Sequence, residues 1–152
     1  RNQIVEAEPL VKTSIQKDQY GRLDILLNLA SDFHEALLEA IDGLGPGETF
    51  KVKSTDVSFV DGTSEKISIR MRGTNQSYPL TEIPVGLAYG LVDLKLDILH
   101  GSTLARKAAF AIVHPKSNDL VLQQARRWMD EAIETGFAPS DMAKVFDDDY
   151  RL

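Results

Sequence analysis

Apolar positions along this chain change their period twice. From Leu23 to Leu44 they recur at helical spacing: Leu23, Leu26, Leu27, Ala30, Phe33, Leu37, Leu38, Ile41 and Leu44 lie on one stripe. Between Leu44 and Pro84 they alternate, through Phe50-Val52, Val57-Phe59 and Ile67-Ile69-Met71. After Pro84 the helical spacing returns. The pattern predicts a helix over residues 22–42, stopped by Gly43, Gly45, Pro46 and Gly47. It predicts strands over 48–53, 56–60, 66–71 and 76–80, with turns at Asp61-Gly62 and Gly73-Thr74-Asn75. Pro84 suits a first helical position and opens a helix to Leu99, which His100-Gly101 ends. Ser102 then caps a helix covering Leu104–Val113. Ser117 or Asn118 caps a third, running through Trp128 to Gly136. Ser140 caps a last short helix ending in Asp147-Asp148-Asp149, an acidic tail read as solvated.

These elements predict an α+β fold. A small antiparallel sheet or partial barrel is flanked by an N-terminal helix and a C-terminal group of three or four helices. Residues 1–21 read as a linker or loosely docked arm, 22–83 as helix plus β-module, and 84–152 as a helical subdomain packed on it, making one compact domain. Ile25, Leu29 and Ala36 widen the apolar stripe of the first helix onto a second side. One side is expected to meet the strands and the other the Pro84–Leu99 helix, unless Ile25 and Leu29 belong to an interface with a partner.

Composition narrows the functional classes. With 43% hydrophobic and 26% charged residues the chain belongs with globular proteins, not disordered ones. It has no cysteine, which removes disulfides, thiolate metal sites and a Cys nucleophile, and leaves the compartment open. The formal net charge is −6, with the acidic excess in the helical parts and a neutral β-module. Such a chain is a poor general binder of nucleic acid or anionic membrane, since both need clustered cations. No apolar run reaches the roughly 18 residues of a membrane-spanning helix, so no insertion is expected.

Candidate chemistry is sparse. Lys51 and Lys53 alternate with Phe50 and Val52, and Arg70 and Arg72 alternate with Ile69 and Met71. If these two strands are neighbours, four cations share one sheet face. That face is either an anion-binding site or a solvated surface whose charges discourage edge pairing. His34 has no second histidine one turn away, so it reads as a surface residue. His100 and His114 read as helix C-terminal residues facing the negative end of the dipole. No G-x-S-x-G elbow and no phosphate loop is present, so no catalytic, cofactor-binding or metal-binding residue is assigned and no cofactor is expected. Trp128, the sole tryptophan, is core if it points inward and a binding hot spot if it is exposed.

Two partial resemblances add expectations. Ala105–Gly136 resembles one degenerate tetratricopeptide-type helical hairpin, with Ala109, Ile112 and Val113 on its first helix and Ala125, Met129 and Ala132 on its second. Pro139 follows late, and Lys116 stands where such repeats carry an aromatic residue. Residues 22–83, a helix followed by short alternating strands, are similar to Sm-like and SH3-like small β-barrels. No nucleotide-binding motif of the Sm family is matched, so RNA binding is not implied. The segment Tyr78–Pro84 with its trailing helices also resembles parts of uncharacterised bacterial envelope or regulatory proteins. The leading expectation is a non-catalytic interaction or scaffolding module of a larger protein, whose partner is another region of that protein or a separate protein. The alternative is a small β-barrel module that binds an anionic ligand through Lys51, Lys53, Arg70 and Arg72. An enzyme with a site that no motif marks comes third.

Overall fold

The computed structural model describes residues 14–148. Residues 1–13, which hold most of the expected arm, and residues 149–152, with Asp149 of the acidic tail, lie outside that range. The first helix, α1, spans Ser14–Asp42 and so begins about two turns before the expected start. Strands β1 (Thr49–Val52), β2 (Thr55–Gly62), β3 (Lys66–Met71) and β4 (Thr74–Pro79) follow. They form an antiparallel meander in the order β1-β2-β3-β4, an open sheet and not a barrel. Then come a 3-10 turn at Leu80–Glu82 and the helices α2 (Val85–Val92), α3 (Gly101–Val113) and α4 (Asp119–Glu134). A 3-10 segment at Ser140–Phe146 closes the described chain. The α+β class expected from the change of period is the observed one.

Cross-strand register sorts the sheet into two faces. Phe50 opposes Val57, Val57 opposes Met71, and Phe59 opposes Ile69. These residues form the inner face, where Phe50, Val57, Phe59, Ile67 and Ile69 are buried. Lys51, Asp56, Ser58, Ser68, Arg70, Asn75 and Ser77 alternate with them on an outer face open to solvent. The Asp61-Gly62 pair does not turn the chain. Both residues pair with β3 beyond an irregularity between Phe59 and Asp61, and the turn lies at Thr63–Glu65. An extra residue at this bulge restores the inward alternation, which a strict period of two cannot anticipate. The next hairpin turns at Arg72-Gly73, with φ of 51° and 79°. Positive φ at both central residues is what a two-residue turn matching the strand twist requires.

The hydrophobic interior is divided along α1, not across its two sides. Its C-terminal half, through Phe33, Leu37, Ala40 and Ile41, packs with α2 on the inner face of the sheet. Its N-terminal half, around Leu26, packs with α3, α4 and the final 3-10 segment. Thus α2 shares the sheet's core instead of covering the opposite side of α1. Phe33 joins the two regions: its ring stacks on Phe110 at 4.2 Å and meets Tyr89 edge-on at 6.0 Å.

Helix α2 is half the expected length. The helix ends at Val92, and the following segment places Leu94, Asp97, Ile98 and Leu99 in solvent. The Asp97 carboxylate accepts the Leu99 N–H at 3.0 Å, which stabilises a turn in place of a helix. Pro84 is the cap residue of α2 and not its first helical residue. At α3 the cap is His100, whose ring nitrogen accepts the Ser102 N–H at 3.3 Å. His100 therefore sits at a helix N-terminus, and Ser102 lies inside the helix. His114 does stand at the C-terminal end of α3, buried, where its Nε2 donates to the Ile83 carbonyl. Asn118 caps α4 as expected, its side chain accepting from Val121. The last segment has no side-chain cap at Ser140, which follows Pro139. Its acidic end is not simply solvated. Asp148 holds the buried Arg22 through two hydrogen bonds of 2.5 and 2.6 Å, and Asp147 pairs with Arg126 at 3.2 Å.

Candidate interaction surface

The four cations singled out by the alternation do not come from adjacent strands. β2 separates β1 from β3, so Lys51 and Arg70 stand on non-adjacent strands of the same outer face. Lys51 is matched by Asp56 at 2.6 Å. Lys53 lies in the β1–β2 turn and Arg72 in the β3–β4 turn, both at positive φ. Hydrophobic alternation identifies faces but carries no information on strand order, which explains the error.

A different grouping replaces it. The β3–β4 hairpin carries Lys66, Arg70 and Arg72, and no Asp or Glu occurs between Lys66 and Pro79. All three cations are exposed. Lys66 and Arg70 alternate onto the outer face with Ser68. Arg70 Nε donates to Asn75 Oδ1 at 2.8 Å, which brings the guanidinium against β4. Ser68 and Ser77 join their hydroxyls at 2.7 Å on the same face. The strands of the hairpin are therefore cationic on a chain whose net charge is −6, with Asp61 of β2 the carboxylate that stands opposite Ser68. Lys66 is the member that sequence reasoning missed. It follows Glu65 directly, and only the strand register separates the two.

The two edges of the sheet differ. At β1, helix α2 closes in: a Cβ on Gly90 would lie 2.7 Å from the Lys51 carbonyl oxygen, so only glycine allows this approach. At β4, pairing is with β3 alone among the described residues. Beside the sheet runs a groove of about 490 Å³, lined by Lys53, Tyr78, Glu82, Gly86, Lys116 and Asn118 among others. It brings Lys53 near a second cation, Lys116, but Glu82 shares the lining. Tyr78 turns its hydroxyl to Gln76 Oε1 at 2.6 Å.

The three candidate interface residues sit elsewhere. Ile25, Leu29 and Trp128 are partly buried and pack against the helical core. Trp128 meets Tyr89 edge-on at 5.2 Å. The ammonium of Lys107 lies 5.4 Å from the Trp128 ring centroid and 5.5 Å from that of Tyr89, and it pairs with Asp93. Burial pushes the Tyr89 hydroxyl well above the ordinary phenol range, and that hydroxyl donates to the Lys107 carbonyl at 3.2 Å. Lys107 was legible in principle, since it lies one turn from both Leu104 and Ala111 on the apolar face of α3. Exposed apolar side chains gather instead around the start of α3. Leu99 is 81% exposed, and its neighbour His100 packs at a tilt against Phe137, with ring centroids 4.4 Å apart.

His34 is exposed on α1. Among the described residues, no three His, Asp or Glu side chains converge as a metal site would require, and no helix is long and apolar enough to cross a membrane. No protein-family model, curated protein or solved structure matches this chain.

Proposed function

We propose that this domain is a non-catalytic protein-interaction module and that the β3–β4 hairpin is its binding surface. One observation carries the reading: Lys66, Arg70 and Arg72 stand exposed on a hairpin without a carboxylate, at the edge of the sheet. Charge segregated in this way on an acidic domain favours an acidic partner and disfavours hairpin-to-hairpin contact with a second copy. The hairpin is also rigid. Its turn is two residues long, and its inner side chains Ile67 and Ile69 are anchored in the core. A rigid surface loses little conformational freedom when it binds.

A second reading rests on the groove. Lys53 and Lys116 both line it, and a small anion between them would give the domain a ligand-binding role. Backbone amide spectra separate the two. Pools of unrelated peptides are expected to shift β3 and β4 resonances saturably, while inorganic phosphate leaves them unchanged. Shifts produced by phosphate alone, at Lys53, Gly86 and Lys116, replace the interaction reading with the ligand reading. Shifts from neither probe overturn both.

A further inference from the structure

We infer that β4 accepts an extended acidic peptide as a fifth strand of the sheet. The inference rests on the interaction reading above and gives it a partner chemistry and a binding mode.

The argument begins with hydrogen-bond parity. In an antiparallel ladder, alternate residue pairs exchange backbone bonds, and the residues between them turn their N–H and C=O groups away. Met71 and Thr74 pair across the two-residue turn, followed by Ile69 with Gln76 and Ile67 with Tyr78. The Leu80 N–H donates to the Glu65 carbonyl at 2.8 Å, which extends the same series by one step. Thr74, Gln76 and Tyr78 therefore bond to β3. Asn75 and Ser77 direct both backbone groups outward, at an edge where no strand lies among the described residues. Pro79 is next in the outward series. It has no N–H, so the edge ends there as a donor but keeps its carbonyl. Proline is tolerated in a sheet at such an outward position.

An added strand thus finds two donors and three acceptors in register, enough for a short segment held through its backbone. Charge then selects the segment. A side chain of the incoming strand opposite Asn75 or Ser77 falls on the outer face. There the Arg70 guanidinium already reaches to Asn75 on β4, with Lys66 two positions back on the same side of β3. A carboxylate at alternate positions of the peptide meets these cations, and a lysine there is repelled. A second copy of the chain would bring its own Lys66, Arg70 and Arg72 against the first set, so the edge disfavours self-pairing. Nucleic acid fits poorly because the rest of the domain is acidic. Along β1 the corresponding addition is blocked, since α2 lies against Lys51 through Gly90.

The test uses a labelled peptide of about eight residues that alternates Glu with Thr or Val, a length suited to one strand. Saturable binding is expected, weakening steeply as salt rises from about 0.1 M to about 1 M. The same peptide with Lys for Glu, and the Glu peptide N-methylated at alternate amides, are each expected to bind at least about tenfold more weakly. Ser77→Pro removes the outward-facing donor together with the hydroxyl that meets Ser68, and it is expected to lose about tenfold in affinity. Ser77→Ala, which lacks the hydroxyl but keeps the N–H, is expected to stay within about twofold. If Ser77→Pro does not fold, the N-methylated peptide decides the question on the unmodified protein. Equal binding of the N-methylated and parent peptides overturns strand addition. Peptide-induced shifts confined to Ile98, Leu99 and Phe137 overturn it too, together with the hairpin as the binding surface, whereas equal binding of the N-methylated peptide with shifts on β3 and β4 leaves the hairpin reading in place. Absence of binding by any peptide overturns both. Self-association of the free protein that Ser77→Pro abolishes would give the edge to a second copy and overturn the inference.

Discussion

The sheet has two edges made of similar short strands, and the fold treats them oppositely. β1 is closed by a helix that packs so near its backbone that position 90 must be glycine. β4 pairs with no further strand among the described residues, and in place of a packed helix it has the exposed cations of the neighbouring β3 and of the β3–β4 turn beside it. An open edge is a hazard because its unpaired backbone groups invite any extended chain. Here charge and a terminal proline limit which chains qualify. Closing one edge with packing and screening the other with charge leaves a single direction in which the sheet can grow.

Breaking the closed edge should produce the largest effect. Gly90→Val places methyl groups where the Lys51 carbonyl and Val52 already stand, 2.7 and 3.1 Å from the new Cβ. The expected loss is about 2–3 kcal/mol from overpacking, read as a lower urea midpoint with an unchanged slope. An unaltered midpoint would mean that α2 does not bear on β1.

One substitution applied to both edges sharpens the comparison. In Lys51→Pro and Ser77→Pro, each proline replaces a residue whose N–H faces away from the ladder. The ring at position 51 enters the space held by α2, whereas the ring at position 77 enters solvent. Lys51→Pro should cost at least about 1–2 kcal/mol more than Ser77→Pro in thermal or urea unfolding. The Lys51–Asp56 ion pair is exposed on both sides and explains little of that difference, at most a few tenths of a kcal/mol. Lys51→Ala serves as the control. Equal costs at the two edges would remove the distinction.

The smallest expected change in stability is that of Arg70→Glu. Arg70 is exposed, and its one hydrogen bond within the sheet is to Asn75. Stability should stay within about 0.5 kcal/mol, while affinity for the acidic peptide falls and that for the lysine peptide rises. A variant that keeps its peptide preference would show that Arg70 does not read charge.

Much of this arrangement was legible from the sequence, though unevenly. Alternation through Phe50-Val52, Val57-Phe59 and Ile67-Ile69-Met71 separated inner from outer residues correctly, because burial of one face enforces that period. It carries no sign that β2 intervenes between β1 and β3, so alternation alone groups Lys51 with Arg70 and leaves Lys66 out. Asp61-Gly62 misled because its turn chemistry was spent on a bulge, where Gly62 lets Ile41 approach. The helix from Pro84 was read too long because apolar spacing continues through Leu94 and Leu96, while the Asp97 turn favours leaving the helix. The helical core was hardest to read. It relies on buried alanines at 105, 108, 109, 111, 125 and 132, and on an Arg22–Asp148 pair separated by most of the chain. Alanine carries little periodic signal, and long-range ion pairs carry none.

The central claim is that Asn75 and Ser77 present free backbone groups at an open edge, and amide hydrogen exchange tests it most directly. The account predicts alternation along one strand. Amides of Gln76 and Tyr78 exchange slowly because they bond to β3, while those of Asn75 and Ser77 exchange fast. Adding the acidic peptide should slow Asn75 and Ser77 selectively. Uniform protection of all four amides in the free protein would contradict the account, since it would show that the β4 edge is already covered.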